Sequence, residues 1–503
     1  MSKAKKLSLS VIFQFLNIIV KGFVGVLIVP IIINLIGQDY YGVLEIILSL
    51  MFINFFFELG MGSTLLRFIP VYHKEGDRVL NEFLWTYLYF KSFLAVTATI
   101  IIVIIGLNFN LLFNVGGSDM SLVQESVFLF AGGVFITNFA SFFSNTLKGF
   151  QRFDFAVIPE IISQIFFLFL IYVFKFRGPA NIDIINISIL MFIVRPFIRI
   201  ALSAVLIYIF IPYFHVFNPL RPKKRFLIES INFLKGMSFI SLLAQFSNKA
   251  PKMILGAILN PVSVAYWGIS ERIKNPIQQI NSSLLRPLIP MANSMQQNDQ
   301  FSTNKLIVRI TKIHFLLIGG LIFFILFYVD LFINLWLGNE YLYVADIIRV
   351  WFFPLILPNA GVLLMFYYAK GKTKLSQFLG MINSFLGIGL GSLLVFKFNG
   401  VGMAYGLSFS IVITTVIYFY YLCKEFELDF RKLFKEAYFP SYMVIIISFF
   451  LNFLITKFIV INNWFHLVVS VFIGVSVYFI LNYFALDKSD KLYLQKIIKN
   501  IKK

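Results

Sequence analysis

The sequence predicts an all-α integral membrane protein of about fourteen transmembrane helices: two parallel six-helix lobes around a central cleft, with two helices appended. Four observations carry that prediction. Of 503 residues, 59% are hydrophobic and 13% charged, against about 25% charged in soluble chains. At about 20 residues per membrane-crossing helix, the length holds roughly fourteen spans and leaves no sizeable soluble domain. Lysine and arginine gather in alternate connections, and two short sequence patterns recur along the chain.

The elements follow in order from hydropathy and breaker clusters. The N-terminus is short and basic, and the apolar stretch 8–36 is too long for a signal-peptide core and lacks a small-residue cleavage site, so it is the first helix. Further spans fall at 42–70, 82–107, 122–147, 157–174, 183–212, 231–258, 263–290, 306–328, 344–369, 376–396, 401–423, 438–456 and 465–485. The N-terminal tail, the even-numbered connections and the C-terminal tail hold 25 of the 43 lysines and arginines. The odd-numbered connections hold only Lys175, Arg177, Lys397 and Lys457. Because positive loops stay in the cytoplasm, both termini are expected there, in a multi-pass plasma-membrane protein. The longest exterior segments, 108–121 and 329–343, are too short for a catalytic domain.

Lys148-Gly149-Phe150 opens a segment ending Val173-Phe174-Lys175-Phe176, and Lys370-Gly371-Lys372 opens one ending Val395-Phe396-Lys397-Phe398 at the same spacing. Leu65-Leu66-Arg67-Phe68-Ile69-Pro70 is echoed by Leu284-Leu285-Arg286-Pro287-Leu288-Ile289-Pro290. The simplest account is a duplicated lobe: an N-lobe over 1–212, a cytoplasmic linker over 213–230, a C-lobe over 231–423, spans 13 and 14 over 424–485, and a basic tail over 486–503. In that tail Leu494, Ile497, Ile498 and Ile501 alternate with Lys496, Lys499, Lys502 and Lys503, the pattern of a short helix lying on an anionic leaflet.

Enzymatic and metal chemistry find little support. The single cysteine, Cys423, excludes an internal disulfide framework, and the four histidines lie far apart. Gly371-Lys372-Thr373 has Phe366 where a Walker A loop needs glycine. The net charge of +20 would suggest nucleic acid in a soluble chain; here its placement in the membrane is what matters, and no cofactor or nucleic acid is expected.

Fourteen cations are not assigned to connections or tails, against the membrane-depth acids Glu45, Glu58, Glu125, Glu160, Glu271 and Asp346. An excess of positive charge in a hydrated cleft selects an anionic ligand, and arginine suits phosphate oxygens. Span 8 carries Glu271, Arg272, Lys274, Asn275, Gln278 and Gln279 opposite an isoleucine face of Ile269, Ile273, Ile277 and Ile280, so one face is expected to meet lipid and the other water. Span 7 brings Ser238, Ser241, Gln245, Asn248, Lys249 and Lys252; span 1 brings Gln14, Asn17 and Lys21; span 6 brings Arg195 and Arg199, with Pro196 expected to break the helix between them. Arg67 and Arg286 lie near span ends, where reaching to headgroups competes with a binding role. Glu58, alone among apolar neighbours, is a candidate for carrying a proton or sodium ion, and a salt bridge to Lys21 or another cation is the alternative. The asparagines and glutamines of spans 7 and 8 suit sugar hydroxyls or helix–helix contacts equally.

The basic N-terminus, Gly37-Gln38-Asp39-Tyr40-Tyr41-Gly42 between spans 1 and 2, Leu59-Gly60 through Arg67-Phe68-Ile69-Pro70, Leu147-Lys148-Gly149 before span 5, and the six-plus-six-plus-two count resemble Wzx-type polysaccharide flippases of the MOP (multidrug/oligosaccharidyl-lipid/polysaccharide) exporter superfamily. The resemblance implies a two-lobed bundle that moves undecaprenyl-pyrophosphate-linked oligosaccharide from the inner to the outer leaflet by alternating access. It also implies a polysaccharide polymerase and glycosyltransferases as partners. On that reading Lys21, Arg195, Arg199, Lys249, Lys252 and Arg272 form the anion site, with Arg67 and Arg286 at its mouth. Asn17, Gln245, Asn248, Asn275 and Gln279 line the polar cleft, and Glu58 and Glu271 serve ion coupling. A lipid II flippase and a multidrug exporter of the same superfamily are the near alternatives; a membrane polymerase or glycosyltransferase is the alternative from another class.

Overall fold

Backbone polar groups in hydrocarbon must be satisfied within their own segment, and the chain meets that demand with helices alone: among the described residues there is no strand. The structure, a computed structural model, describes residues 3–58, 61–177, 182–211, 219–235, 238–295 and 300–492, with the side chains of 3–12, 177, 235, 238–244, 294–295 and 300–302 outside that description. The basic N-terminal side chains, Leu59-Gly60, Ser238, Ser241 and the Leu494–Lys503 pattern therefore lie outside the described residues.

The helices run α1 (Lys3–Ser49), α2 (Met51–Glu58), α3 (Met61–Glu75), α4 (Asp77–Leu107), α5 (Phe109–Leu112), α6 (Met120–Gly149), α7 (Phe153–Arg177), α8 (Ile184–Ser188), α9 (Arg195–Phe210), α10 (Lys224–Lys235), α11 (Ser238–Ile258) and α12 (Pro261–Leu285). They continue as α13 (Leu288–Met295), α14 (Gln300–Leu337), α15 (Tyr343–Ile356), α16 (Gly361–Ala369), α17 (Lys374–Phe426), α18 (Phe430–Leu433), α19 (Phe439–Phe458) and α20 (Trp464–Ala485).

Among the described residues nine helical stretches are long and apolar enough to cross a membrane, or ten if the bent pair α15–α16 is one span. The number fourteen is thus not reproduced by length and apolarity. Two stretches, Phe13–Glu58 and Lys374–Phe426, have 46 and 53 residues, ~69 and ~80 Å at 1.5 Å per residue, more than twice a ~30 Å hydrocarbon core. Each contains a non-helical residue where the sequence ends one span and begins another: Gly37 (φ 79°, ψ 167°) and Asn399 (φ 51°, ψ −142°). The Gly37 conformation is one that residues with a Cβ avoid. The polar helix α12 does not pass the apolarity test, because Glu271, Arg272 and Lys274 stand together near its middle.

Two compact units divide the chain, Met1–Pro276 and Ile277–Lys503. The division falls inside α12 rather than in the 213–230 linker, since ion pairs and close backbone contacts join α11 and α12 to α1. A Cβ on Gly42 would collide with the Pro261 carbonyl, and one on Gly268 would come within 2.7 Å of Glu45 Cδ. In the second unit, α14, α19 and α20 meet around buried Tyr328, whose hydroxyl donates to Asn452 Oδ1 at 2.9 Å. Beyond α20, Asp490 accepts from Arg309 Nε at 2.9 Å and Lys312 Nζ at 3.1 Å.

Sequence and structure differ over Pro196. The helix is not broken between Arg195 and Arg199. A wide π-turn over Ile189–Val194 absorbs the missing proline N–H upstream, with the Arg195 N–H donating to the Leu190 carbonyl. A second π-turn, Phe434–Tyr438, stands in the same relation to Pro440. Arg195 and Arg199 thereby stay one turn apart on one helix face.

The two Lys-Gly segments also resolve differently from their spelling. The same turn closes α6 and α16: Gln151 N–H bonds Lys148 O (2.8 Å) and Arg152 N–H bonds Leu147 O (2.9 Å), while Gly371 N–H bonds Tyr368 O (2.9 Å) and Lys372 N–H bonds Tyr367 O (3.4 Å). The left-handed residues are Gln151 (φ 60°) and Gly371 (φ 71°), not Gly149 and Gly371. Gly149 is helical and serves packing: a Cβ there would lie 2.5 Å from Ile69 Cδ1 and 3.1 Å from the Leu65 carbonyl.

Candidate substrate-binding site

The charged residues expected in one anion site separate into two groups, both within residues 1–276. The first is a buried network. The turn after Gly37 sets Tyr41 and Glu45 on the same face of α1, four residues apart. Glu45 is 1% exposed. Its Oε2 accepts from Lys252 Nζ at 2.6 Å, and its Oε1 accepts from Arg272 Nη2 at 2.7 Å and from the Tyr41 hydroxyl at 3.0 Å. Lys252 is also paired with Glu271 at 2.5 Å. Lys252 and Arg272, expected to hold a ligand, are therefore already held by carboxylates. Glu271 does not neutralise its sequence neighbour Arg272 but reaches Lys252 on α11. Nor does the apolar face of α12 meet lipid throughout: Ile269 is fully buried, as are Trp267 and Ser270.

The second group lines a cavity of about 240 Å³ bounded by Leu48, Met51, Gly133, Thr137, Ser163 and Phe192 among others, into which Arg195, Arg199, Lys249 and Glu160 enter. The π-turn places both arginines of α9 on this wall; α11 contributes Lys249 and α7 contributes Glu160. Among the described residues no carboxylate lies within 4 Å of Arg195, Arg199 or Lys249, and Arg199 Nε is buried without a hydrogen-bond partner. Arg195 stands over the Phe167 ring at 5.7 Å. Glu160 is turned to Lys21: Lys21 Nζ lies 2.5 Å from its Oε1, and Asn17 Nδ2 donates to Oε2 at 3.3 Å. Gln164 Nε2 reaches Asn17 Oδ1 at 3.5 Å. Three cations thus face one cavity that also receives a carboxylate already committed to a fourth. Such an array gives a bound phosphate or pyrophosphate several charge-assisted donors in a half-buried cavity.

The remaining expected residues fall elsewhere. Glu58 is not alone: Lys91 Nζ donates to its Oε1 at 2.9 Å and the Ser141 hydroxyl donates at 3.0 Å. The salt-bridge alternative holds, with Lys91 in the place offered to Lys21. Arg67 is exposed and stacks over Phe233 at 4.7 Å and Phe68 at 5.6 Å; Arg286 is exposed. Asn248, Asn275 and Gln279 are exposed and Gln245 half-buried, and the structure does not bring them onto the cavity. Arg349 pairs with Asp346 at 3.0 Å, as their spacing suggests, and also with Asp330. Because Lys21, Lys91, Lys252, Arg272 and Arg349 all have carboxylate partners, the excess of cations counted from sequence falls on the others, Arg195, Arg199 and Lys249 among them. Sequence reasoning missed Glu45, Glu160 and Lys91 as organising residues; the one signal for them was their position inside apolar helices, where an unpaired charge is costly. No group of three His, Cys, Asp or Glu side chains among the described residues is placed to hold a metal ion.

Known proteins share much of this architecture. The family described as "Polysaccharide biosynthesis protein" matches residues 9–296. No curated protein sequence matches the chain. Among solved structures, the lipid II flippase MurJ in an inward closed conformation is similar at a TM-score of 0.71 and 17% identity, covering 97% of this chain and 99% of that one. An inward-facing multidrug resistance MATE family transporter of the MOP superfamily follows at 0.62 and 14%, covering 87% and 97%. The MATE multidrug transporter DinF-BH follows at 0.59 and 16%, covering 85% and 98%. The chain belongs to the polysaccharide biosynthesis protein family, and its helices adopt the fold seen in the MurJ and MATE transporters.

Proposed function

We propose that this protein is a flippase that carries polyprenyl-pyrophosphate-linked oligosaccharide from the inner to the outer leaflet of the plasma membrane by alternating access, with both termini in the cytoplasm. Family and fold together support a flippase-type transporter. The observation that carries the finer reading is the set of three cations, Arg195, Arg199 and Lys249, that enter one cavity with no carboxylate of their own among the described residues. A sugar pyrophosphate cannot cross hydrocarbon unaided; a basic cavity lowers that barrier while the lipid tail stays in the bilayer. Arg195, Arg199 and Lys249 are the pyrophosphate ligands in this proposal. Lys252 and Arg272 belong to the buried network instead. Glu58 remains the coupling candidate, with the condition that an incoming ion displaces Lys91; Glu271 would have to release Lys252.

The test is charge reversal. Arg199→Glu, with membrane insertion confirmed, is expected to abolish surface polysaccharide in cells that depend on this chain; normal export overturns the assignment. A lipid II flippase is the second reading, favoured by the similarity to MurJ. Rescue of cells depleted of their lipid II flippase would select it over the polysaccharide reading. A multidrug exporter is disfavoured, since a cavity with three cations and one carboxylate repels organic cations.

A further inference from the structure

Among the described residues Glu160 is the one acid on the wall of the cavity, and it makes no direct ion pair with the three cations there. Its carboxylate instead holds Lys21, with Oε1 2.5 Å from the ammonium and Oε2 bonded by Asn17. The arrangement is built rather than incidental. Asn17 and Lys21 are four apart on α1 and reach Glu160 on α7 together, while Gln164, one turn further along α7, bonds back to Asn17. Ser163, also on the cavity wall, donates to the Glu160 carbonyl at 3.0 Å. The Lys21 side chain keeps 38% of its surface exposed and that of Glu160 22%, so neither is locked away from an incoming ligand.

We propose that Glu160 is a resident counter-anion: in the empty site it holds Lys21, and when a pyrophosphate enters, Lys21 transfers to the ligand while the carboxylate, left facing that anion, weakens its hold. Glu160 is a positioning residue on this account, acting through Lys21 and through its own charge. The inference rests on the reading of this cavity as a pyrophosphate site. Its physical logic is that of a carrier. Four uncompensated cations would bind a pyrophosphate tightly and release it slowly, and a translocation cycle gains nothing from ligand that stays. A carboxylate in the same cavity raises the energy of the loaded state without removing the donors that make it selective.

The experiment uses the full chain in nanodiscs of phosphatidylcholine, with inorganic pyrophosphate as the probe and calorimetry as the readout, beside the rate of surface polysaccharide export in cells. Glu160→Gln preserves shape and the Asn17 contact while removing the charge. Taking a unit charge ~8 Å from a bound anion at an effective dielectric of ~20, its loss corresponds to about a thirtyfold lower Kd. The same variant is expected to slow export, lowering apparent kcat and KM together. Lys21→Met is expected to raise Kd about tenfold and to remove part of the Glu160→Gln gain in the double variant. Unchanged or weaker binding by Glu160→Gln, or unchanged binding by Lys21→Met, while Arg199→Glu still abolishes binding, overturns the counter-anion role and leaves the anion site standing. Failure of the unaltered protein to bind pyrophosphate overturns both. A parallel arm in phosphatidylglycerol nanodiscs separates the sources of phosphate: full suppression of pyrophosphate binding there would make bilayer headgroups the ligand and overturn the proposal.

Discussion

Removing Glu45 tests whether the buried network on α1, α11 and α12 holds the first unit together. Glu45→Ala deletes the acceptor for three donors at 2.6, 2.7 and 3.0 Å. The consequences for them are unequal. Lys252, 3% exposed, keeps Glu271 at 2.5 Å and stays neutralised. Arg272 loses its carboxylate, but its side chain is 33% exposed and recovers some solvation. Tyr41, 2% exposed, loses the acceptor of its hydroxyl. Breaking a buried pair from one side costs about 3–5 kcal/mol; with Lys252 still paired and Arg272 partly wet, the lower end applies, about 3 kcal/mol, or roughly a 150-fold shift in the unfolding equilibrium. The assay is detergent melting followed by tryptophan fluorescence, in which fully buried Trp267, next to the Gly268 that makes room for Glu45, reports locally. Glu45→Gln keeps the volume and is expected to fall between the unaltered protein and Glu45→Ala. A melting curve for Glu45→Ala indistinguishable from that of the unaltered protein would refute the argument, because among the described residues no other carboxylate pairs with Arg272.

Other perturbations probe other contacts. Lys91→Met removes the ion-pair partner of Glu58, whose side chain is only 19% exposed and keeps the Ser141 hydroxyl as a donor, and should cost about 3 kcal/mol in the same melting assay; Lys91→Met with Glu58→Gln should recover most of that loss. Gly149→Ala drives a methyl against Ile69 and the Leu65 carbonyl and should destabilise by about 1–3 kcal/mol, which a turn-only role for Gly149 would not produce. Outside the spans, hydrogen bonds from Tyr72 and then Arg225 hold the Glu229 carboxyl below the usual carboxylate range. A lowered folded-state pKa stabilises at neutral pH and loses that contribution as pH falls through it, so Glu229→Gln should flatten the acid limb of melting temperature below about pH 5; an unchanged limb counts against this contact.

The fold was readable because lipid leaves few solutions. A chain this apolar has to be helical, and the breaks between spans carry their own residues: Gly37 sits between spans 1 and 2 and Asn399 between spans 11 and 12, both in conformations that end a helix. What composition could not convey was the backbone's answer to proline. Pro196 reads as a breaker in any one-dimensional rule, yet a π-turn upstream supplies the slack, and that choice depends on Gly133, where a Cβ would strike the Phe192 carbonyl. The spelling of the repeat misled in a related way. Two Lys-Gly pairs mark two similar turns, but one glycine supplies the left-handed residue and the other supplies contact with Ile69.

The candidate site was half legible, and the reason lies in the difference between counting charges and pairing them. Lys21, Arg195, Arg199, Lys249, Lys252 and Arg272 were all recognisable as cations too deep for lipid. Their separation into a sealed network and an open cavity depends on two acids, Glu45 and Glu160, that sequence offers only as members of a balance. Glu45 pairs with Arg272 from a different helix, more than two hundred positions away, while Glu160 enters a cavity with three cations and makes its direct ion pair with Lys21 instead. Net charge is the same whichever cations those acids choose. Affinity for an anion is not, because only an unpartnered cation in a low-dielectric space contributes its full Coulomb attraction. If both Glu45 and Glu160 had been paired with the cavity cations, identical composition would have produced a site with little hold on phosphate. On the proposed reading, what suits the cavity to an anion is therefore where two carboxylates are committed, and substitution at Glu45 and at Glu160 should have opposite signatures: loss of stability at the first, gain of ligand affinity at the second.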